Sequence, residues 1–313
     1  MQKWSIYSLL VILMVSIQNN AAAQSLKLLK TTSFPNYSSA STLQYFNKRL
    51  YVVGDDAPYM LVLTKNHKIK DSLRLFNHTE RRIAKDVKAD IEASFLSQMG
   101  RETFLFLLSS FSDKPRNKVL RISLKDGKLE KGFETFLRTV ETGSETNIEG
   151  AVAVNDWVVL SNRANQTQTQ NSLLLFKKVE RGFAQKQDHV IMIQLPAAKE
   201  VIGISGLEYI PSKDLLLFTA STELTDNAID DGEIGKSYLG YISTFSKRLQ
   251  QKTLVADGLL DLTFVLERET LQKIESVTVE KWKRRKAILH LAADNDDGSS
   301  HLFKLRFVLP STQ

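Results

Sequence analysis

Five side chains able to hold a hard cation recur through the chain in one local setting: Gln44, Glu92, Glu149, Glu208 and Glu275. Each follows an aliphatic residue and leads into a strand-like run, as in Asn147-Ile148-Glu149-Gly150-Ala151-Val152. Consecutive markers are 48, 57, 59 and 67 residues apart. Glu92, Glu149, Glu208 and Glu275 are the expected metal ligands. Oxygen donors from several points of a ring, in a chain with no Cys and five His, favour Ca²⁺, with Mg²⁺ the alternative, over Zn²⁺. Four clustered glutamates repel one another, and their pKa values rise unless a cation or an arginine compensates. Arg163 is the candidate arginine. In the competing reading each glutamate accepts a backbone N–H of a neighbouring unit and acts as a structural latch.

Repeats of this period, each with several short strands, are the signature of a β-propeller. The first strand of a blade lines the central channel and the second runs back beside it. The start of strand one and the end of strand two therefore emerge on one face. That places Gln44, Asp55, Asp56, Asn162, Arg163, Thr222, Glu223 and Asp294 around one channel mouth as candidate ligand-binding residues, together with the glutamates.

The strands themselves follow from pattern. Phe104 to Leu108 is a continuous apolar run, as expected of a strand buried on both faces. Lys118 to Ser123 alternates, and Gly132 to Leu137 closes the second repeat. Lys252 to Val255 reads as an outer strand of the fourth repeat. Residues 258–272 form an insertion with no clear assignment. The fifth repeat offers only three strands, and Leu26 to Phe34 is an orphan. A closed ring leaves no long exposed sheet edge, so the orphan is expected to complete the fifth blade. Five blades are counted, with a sixth conceivable inside the insertion. The expected fold is all-β, one propeller over residues 24–313.

Lys3, the apolar run Ile6 to Ile17 and Ala21-Ala22-Ala23 read as an export signal over residues 1–23. A periplasmic or secreted location follows. No later run is long enough to cross a membrane, and without Cys neither a lipid anchor on Cys nor a disulfide can form. The net charge is +7, with Lys and Arg reading as scattered. The densest run, Lys281 to Lys286, is read as a solvated hairpin turn, and no nucleic-acid partner is expected.

Catalytic patterns are sparse. No G-x-S-x-G elbow and no Gly-rich phosphate loop occurs. No two of His67, His78, His189, His290 and His301 stand at metal spacing, and His290 reads as a core or channel residue. Asp294-Asn295-Asp296-Asp297-Gly298 has acids too close together for a helix–loop–helix Ca²⁺ loop and reads as a hydrated turn. The segment carrying Asp226, Asp230, Asp231 and Glu233 reads as an acidic surface loop.

Asn147-Ile148-Glu149-Gly150, Trp157 to Arg163, Gly206-Leu207-Glu208 and Leu215 to Thr222 resemble secreted bacterial propellers of the esterase-like-phytase and SdiA-regulated families. The similarity is best over blades two to four. It implies a propeller with a Ca²⁺-capable face and, in some relatives, phosphoester or ester hydrolysis. Three functions stay open at this point. The first is a module binding a small molecule or a cell-envelope partner at the mouth, with a divalent cation. The second is a metal-dependent phosphoester or lactone hydrolase using Glu149 or Glu208 as ligand or base. The third is a metal-free structural propeller.

Overall fold

A computed structural model describes residues 25–113, 116–126, 146–180, 182–196, 200–224, 233–266 and 271–310. The chain opens with β1 (Leu26–Phe34). Blade one is β2 (Ala40–Phe46), β3 (Arg49–Gly54), β4 (Tyr59–Thr64) and β5 (Ile69–Arg74). Blade two holds β6 (Ile91–Met99), β7 (Glu102–Ser109) and β8 (Val119–Ser123). Its expected fourth strand, Gly132 to Leu137, lies outside the described residues. Blade three is β9 (Ile148–Val154), β10 (Trp157–Asn162) and β11 (Asn171–Val179), with the short β12 (Gly182–Phe183) on β11, and then β13 (His189–Gln194). Blade four contains β14 (Ile202–Ile210), β15 (Leu215–Leu224) and β16 (Glu233–Ser243). Two short strands follow, β17 (Thr253–Val255) and β18 (Gly258–Asp261). Blade five is β19 (Ile274–Lys283), β20 (Lys286–Asp294) and β21 (Ser300–Val308), completed by β1.

The arrangement is a five-bladed β-propeller. β2, β6, β9, β14 and β19 are the innermost strands and neighbour one another in that order around the channel. They run side by side in one direction. Leu43 N–H donates to Ser276 Oγ and, two residues on along both strands, Tyr45 N–H donates to Thr278 Oγ1, each at 3.1 Å. Each pair of adjacent blades encloses its own apolar core. Phe95, Phe106, Leu160 and Leu174 meet between blades two and three, for example, and Leu217, Leu289 and Phe303 between four and five. The second strands sit between two such cores, which is why β7 and β10 are apolar on both faces.

Two expectations about blade four are corrected. Lys252 to Val255 is not its outer strand: β17 pairs in parallel with β13 of blade three, from Met192↔Thr253 to Gln194↔Val255. Leu254, fully buried in the core between blades three and four, anchors it there. The outer place in blade four belongs to β18, from within the insertion. Among the described residues the insertion contributes that strand and one helical turn, Thr263–Leu266, and no sixth blade.

The ring closes as expected, β1 pairing with β21 from Leu26↔Phe307 to Phe34↔Ser300. A buried chain of hydrogen bonds reinforces the seam between blades five and one. Thr32 Oγ1 meets His67 Nδ1 at 3.0 Å, His67 Nε2 meets His290 Nδ1 at 2.9 Å, and His290 Nε2 meets Glu280 Oε2 at 3.2 Å. Lys304 pairs with Glu280 at 2.6 Å, and Tyr45 stacks on His290. Burial lowers the pKa of His67 to about 3, helped by His290, Lys30 and Lys304, and that of His290 to about 4, helped by Lys304.

Candidate functional site

Every inner strand carries a β-bulge near its start. The register against the second strand slips at Ser41, Glu92, Glu149, Ser205 and Glu275. A bulge leaves one residue unpaired and re-aims its side chain, so these five positions form the inner rim of one mouth. Two carry hydroxyls that tie blades together. Ser41 donates to Ile91 O of blade two, and Ser205 to Ile274 O of blade five at 2.6 Å. The other three carry glutamates.

Glu92, Glu149 and Glu275 therefore share the mouth, while Gln44 and Glu208 do not belong to the bulge ring. Glu208 lies three residues beyond Ser205, roughly 10 Å further along the channel wall. Its carboxylate accepts from Val279 N–H at 3.1 Å and Thr278 Oγ1 at 3.4 Å. Burial raises its pKa to about 8 despite those bonds. Gln44 Nε2 donates to Ser94 O of blade two at 2.9 Å. Glu208 thus makes the kind of inter-blade contact described in the competing reading, and Gln44 makes one of opposite direction, donating to the next blade's backbone.

Arg163 organises half of the mouth. Its side chain is 5% exposed. Nη1 bonds Glu149 Oε2 at 2.5 Å and lies 3.7 Å from Glu275 Oε2, and Nη2 donates to Ser221 Oγ at 2.9 Å. One guanidinium thus joins blades three, four and five. Gly203 permits this, since a Cβ there would stand 2.5 Å from Arg163 Nε and 2.6 Å from Ala164 O. Asn147 Nδ2 holds the second Glu149 oxygen at 2.7 Å, Asn162 Oδ1 accepts Asn147 N–H at 2.6 Å, and Lys273 lies 3.3 Å from Glu275. Thr222 acts as a strand fastener, its Oγ1 accepting Lys236 N–H at 2.9 Å. The Glu223 side chain and the segment from Asp226 to Asp231 lie outside the described residues, as does the Glu233 side chain.

The other half, between blades five, one and two, is acidic. One carboxylate oxygen from each of Asp55, Asp90 and Glu92 lies within 4.8 Å of the other two. Lys88, which sequence reading missed, sits against this group, paired with Asp55 and, at 2.8 Å, with Asp90. Burial works against its charge, but Asp55, Asp90 and Glu92 outweigh burial and hold its pKa up. Asp90 also accepts from Ser110 Oγ at 2.5 Å and pairs with Arg116 at 3.3 Å. Asp56 is engaged by Ser38 Oγ and Arg82 Nε, both at 2.6 Å.

Asp55 keeps one carboxylate oxygen, Oδ1, buried and without a hydrogen-bond partner. Burial, with Asp56 and Asp90 nearby, raises its pKa to about 6 even against Lys88. Burial also pushes Glu92 well up, aided by Asp90, Asp55 and Glu149. Asp294 is raised to about 7 by burial, Asp55 and Asp296. These carboxyls crowd together with less cationic compensation than the Arg163 half enjoys. Such a set of oxygens can take up protons or a hard cation.

The profile of a "Family of unknown function (DUF6929)" matches residues 36–307. No curated protein matches the chain. Among solved structures, the glutaminyl cyclase of Myxococcus xanthus is similar with a TM-score of 0.52 at 11% identity, over 91% of this chain and 97% of that one. The tail fiber of Staphylococcus aureus phage P68 gives 0.49 at 13% identity, over 96% of this chain and 56% of that one. A streptogramin B lyase gives 0.40 at 10% identity, over 93% and 90%. At 11% identity the likeness to the glutaminyl cyclase speaks for the fold alone.

Proposed function

The chain belongs to that family of unknown function, and from the mouth's geometry we propose that it is an exported binding module. Asp55, Asp90 and Glu92 hold a divalent cation, Ca²⁺ or Mg²⁺, which presents itself to a small-molecule or cell-envelope ligand in the channel mouth. The observation that carries this reading is the unpartnered Asp55 Oδ1 within a three-carboxylate group. A buried acceptor left without a donor costs about 1–3 kcal/mol, and a bound cation removes that cost. All donors are oxygens, which suits Ca²⁺ or Mg²⁺. Lys88 is then an internal competitor, occupying part of the cation's place by charge. Glu149 and Glu275 are already matched by Arg163 and serve the site as its charged wall. Gln44 and Glu208 hold the wall together.

Hydrolysis of a phosphoester or lactone is the second reading, in line with the esterase-like-phytase resemblance. Its specific support is Glu92, whose raised pKa suits a carboxyl that donates a proton to a leaving group.

Thermal melting of residues 24–313 in EDTA, in Ca²⁺ and in Mg²⁺ tests the cation. A ligand at 100 times its Kd adds about 2.7 kcal/mol, a rise of a few degrees in a domain this large. The rise should vanish in Asp55→Asn and Glu92→Gln. No rise with either cation overturns the proposal and leaves the carboxylates as a Lys88-neutralised contact between blades.

A further inference from the structure

The basic residues that read as scattered in sequence gather on the face opposite the mouth. Because the inner strands run in one direction, the turns between first and second strands all lie on that back face. Lys48 tips blade one, Arg101 blade two and Lys213 blade four, while blade five presents Lys283, Arg284 and Lys286, all exposed. None of these six forms an ion pair among the described residues. The mouth cations differ: Lys88, Arg116, Arg163 and Lys273 are each paired with carboxylates. Blade three has Asn155-Asp156 at its turn, and acids also follow Arg101 and Lys213, but Glu102 accepts from Ser123 Oγ, and Asp214 from Tyr209 OH and Ser246 N–H. The Lys281 to Lys286 run is the hairpin turn expected, but it is one sector of a wider basic surface.

We infer that this back face docks on a membrane surface rich in anionic phospholipid. Two features favour a lipid surface over a linear polyanion. The cations stand on separate turns around a ring, with packed sheets about 10 Å apart, so a strand of nucleic acid crosses only a few of them. A planar array of phosphates meets them together. Beside the densest tip stands Trp282, half-buried on Phe307, with its indole N–H bonded to Arg284 O at 2.8 Å. An amphipathic ring at the edge of a basic face is suited to the headgroup layer. The protein would then lie flat on the membrane with its mouth directed away from it. This inference does not depend on the cation at the mouth.

The test is co-sedimentation of residues 24–313 with vesicles of phosphatidylcholine, with and without about a third phosphatidylglycerol. The expected result is binding to the anionic vesicles only, lost at about 0.5 M salt, where screening is nearly complete. The double reversal Arg284→Glu with Lys286→Glu should weaken it about tenfold or more. The matched reversal on the mouth side, Lys85→Glu with Lys236→Glu, should leave it within a factor of about two. Circular dichroism and melting of both variants separate loss of docking from loss of fold. Equal weakening by the two reversals overturns the proposal, because the effect then follows net charge rather than the face. Binding to single-stranded DNA or heparin without binding to anionic vesicles also overturns it, as does binding to none of them.

Discussion

At the mouth, one guanidinium touches three blades; at the back, Lys48, Arg101 and Lys213 each stand alone on a turn. The residues are of the same kind, and the difference is positional. Bulges and strand ends at the mouth aim side chains at the channel axis, so charges converge, lose water and must be matched. The turns of the back face project outward, where each charge keeps its hydration and contributes almost nothing to folding. The mouth is therefore where charge should govern stability, and the back face is where charge is free to govern association.

Removing Arg163 should break this contrast most severely. Arg163→Ala leaves Glu149 buried without its counter-charge and Glu275 with Lys273 alone, a loss of about 3–5 kcal/mol, measurable as a fall in the urea midpoint. Arg163→Lys should recover only part of it, since a single ammonium cannot reach Glu149, Glu275 and Ser221 together. Gly203→Val should approach the same loss by displacing the guanidinium. A loss below about 1 kcal/mol in Arg163→Ala would mean that the convergent charges are already solvated.

The pH dependence separates the mouth from the seam by sign. His67 and His290 have folded pKa values of about 3 and about 4, below the unfolded value. The unfolded chain binds their protons first, so their contribution is present at neutral pH and is lost as pH falls from about 6.5 toward 4. Asp55 and Asp294 are raised to about 6 and about 7. Their contribution is present at low pH and is lost as pH rises from about 4 to 7. Urea midpoints across pH 4 to 8 (a range of about four units) should thus show a shallower acid limb in His290→Phe, with His67 keeping the rest. The neutral limb should be shallower in Asp55→Asn, with Asp294, Glu92 and Glu208 keeping part of it. Curves that superimpose on the parent would remove the distinction.

Lys88→Met sharpens the mouth itself. It removes the built-in cation, so Ca²⁺ should bind about tenfold tighter or more, read by isothermal titration calorimetry, although the metal-free protein is less stable. Unchanged or weaker Ca²⁺ binding would count against the three-carboxylate site. The smallest effect belongs to the back face: Arg284→Glu with Lys286→Glu should change unfolding free energy by no more than about 0.5 kcal/mol.

Much of the architecture was legible in the chain. The blade count and the closing role of Leu26 to Phe34 follow from strand-length apolar runs and from one strand too few at the end. The mouth was legible in part. An aliphatic residue followed by an acid or amide occurs both at the bulges and further along the same strands. It picked Gln44 and Glu208 where the structural equivalents are Ser41 and Ser205. The discriminating signal is the next residue. Thr42, Ala93, Gly150, Gly206 and Ser276 follow the bulge positions and are small, whereas Tyr45 and Tyr209 follow the two outliers. The backbone crowding at Gly206, where a Cβ would lie 2.7 Å from Glu275 O, shows why size matters there. Lys88 and Arg116 carry no local pattern, because the loops that bring them to Asp90 have no strand periodicity. The back face escaped notice because Lys48, Arg101 and Lys213 are each alone in sequence and join the Lys281 to Lys286 run only once the turns share a side.

The strand that seals the ring is also the first made among the described strands. Leu26 finds its partner at Phe307, about 280 residues later, which at roughly 5–20 residues per second is some 15 to 55 seconds of synthesis. Through that interval β21 does not yet exist, β1 has nothing to pair with, and blade five cannot complete its sheet. A nascent chain halted before the last strand should therefore carry an unprotected N-terminal segment, open to proteases and chaperones, that disappears when the C-terminus is released.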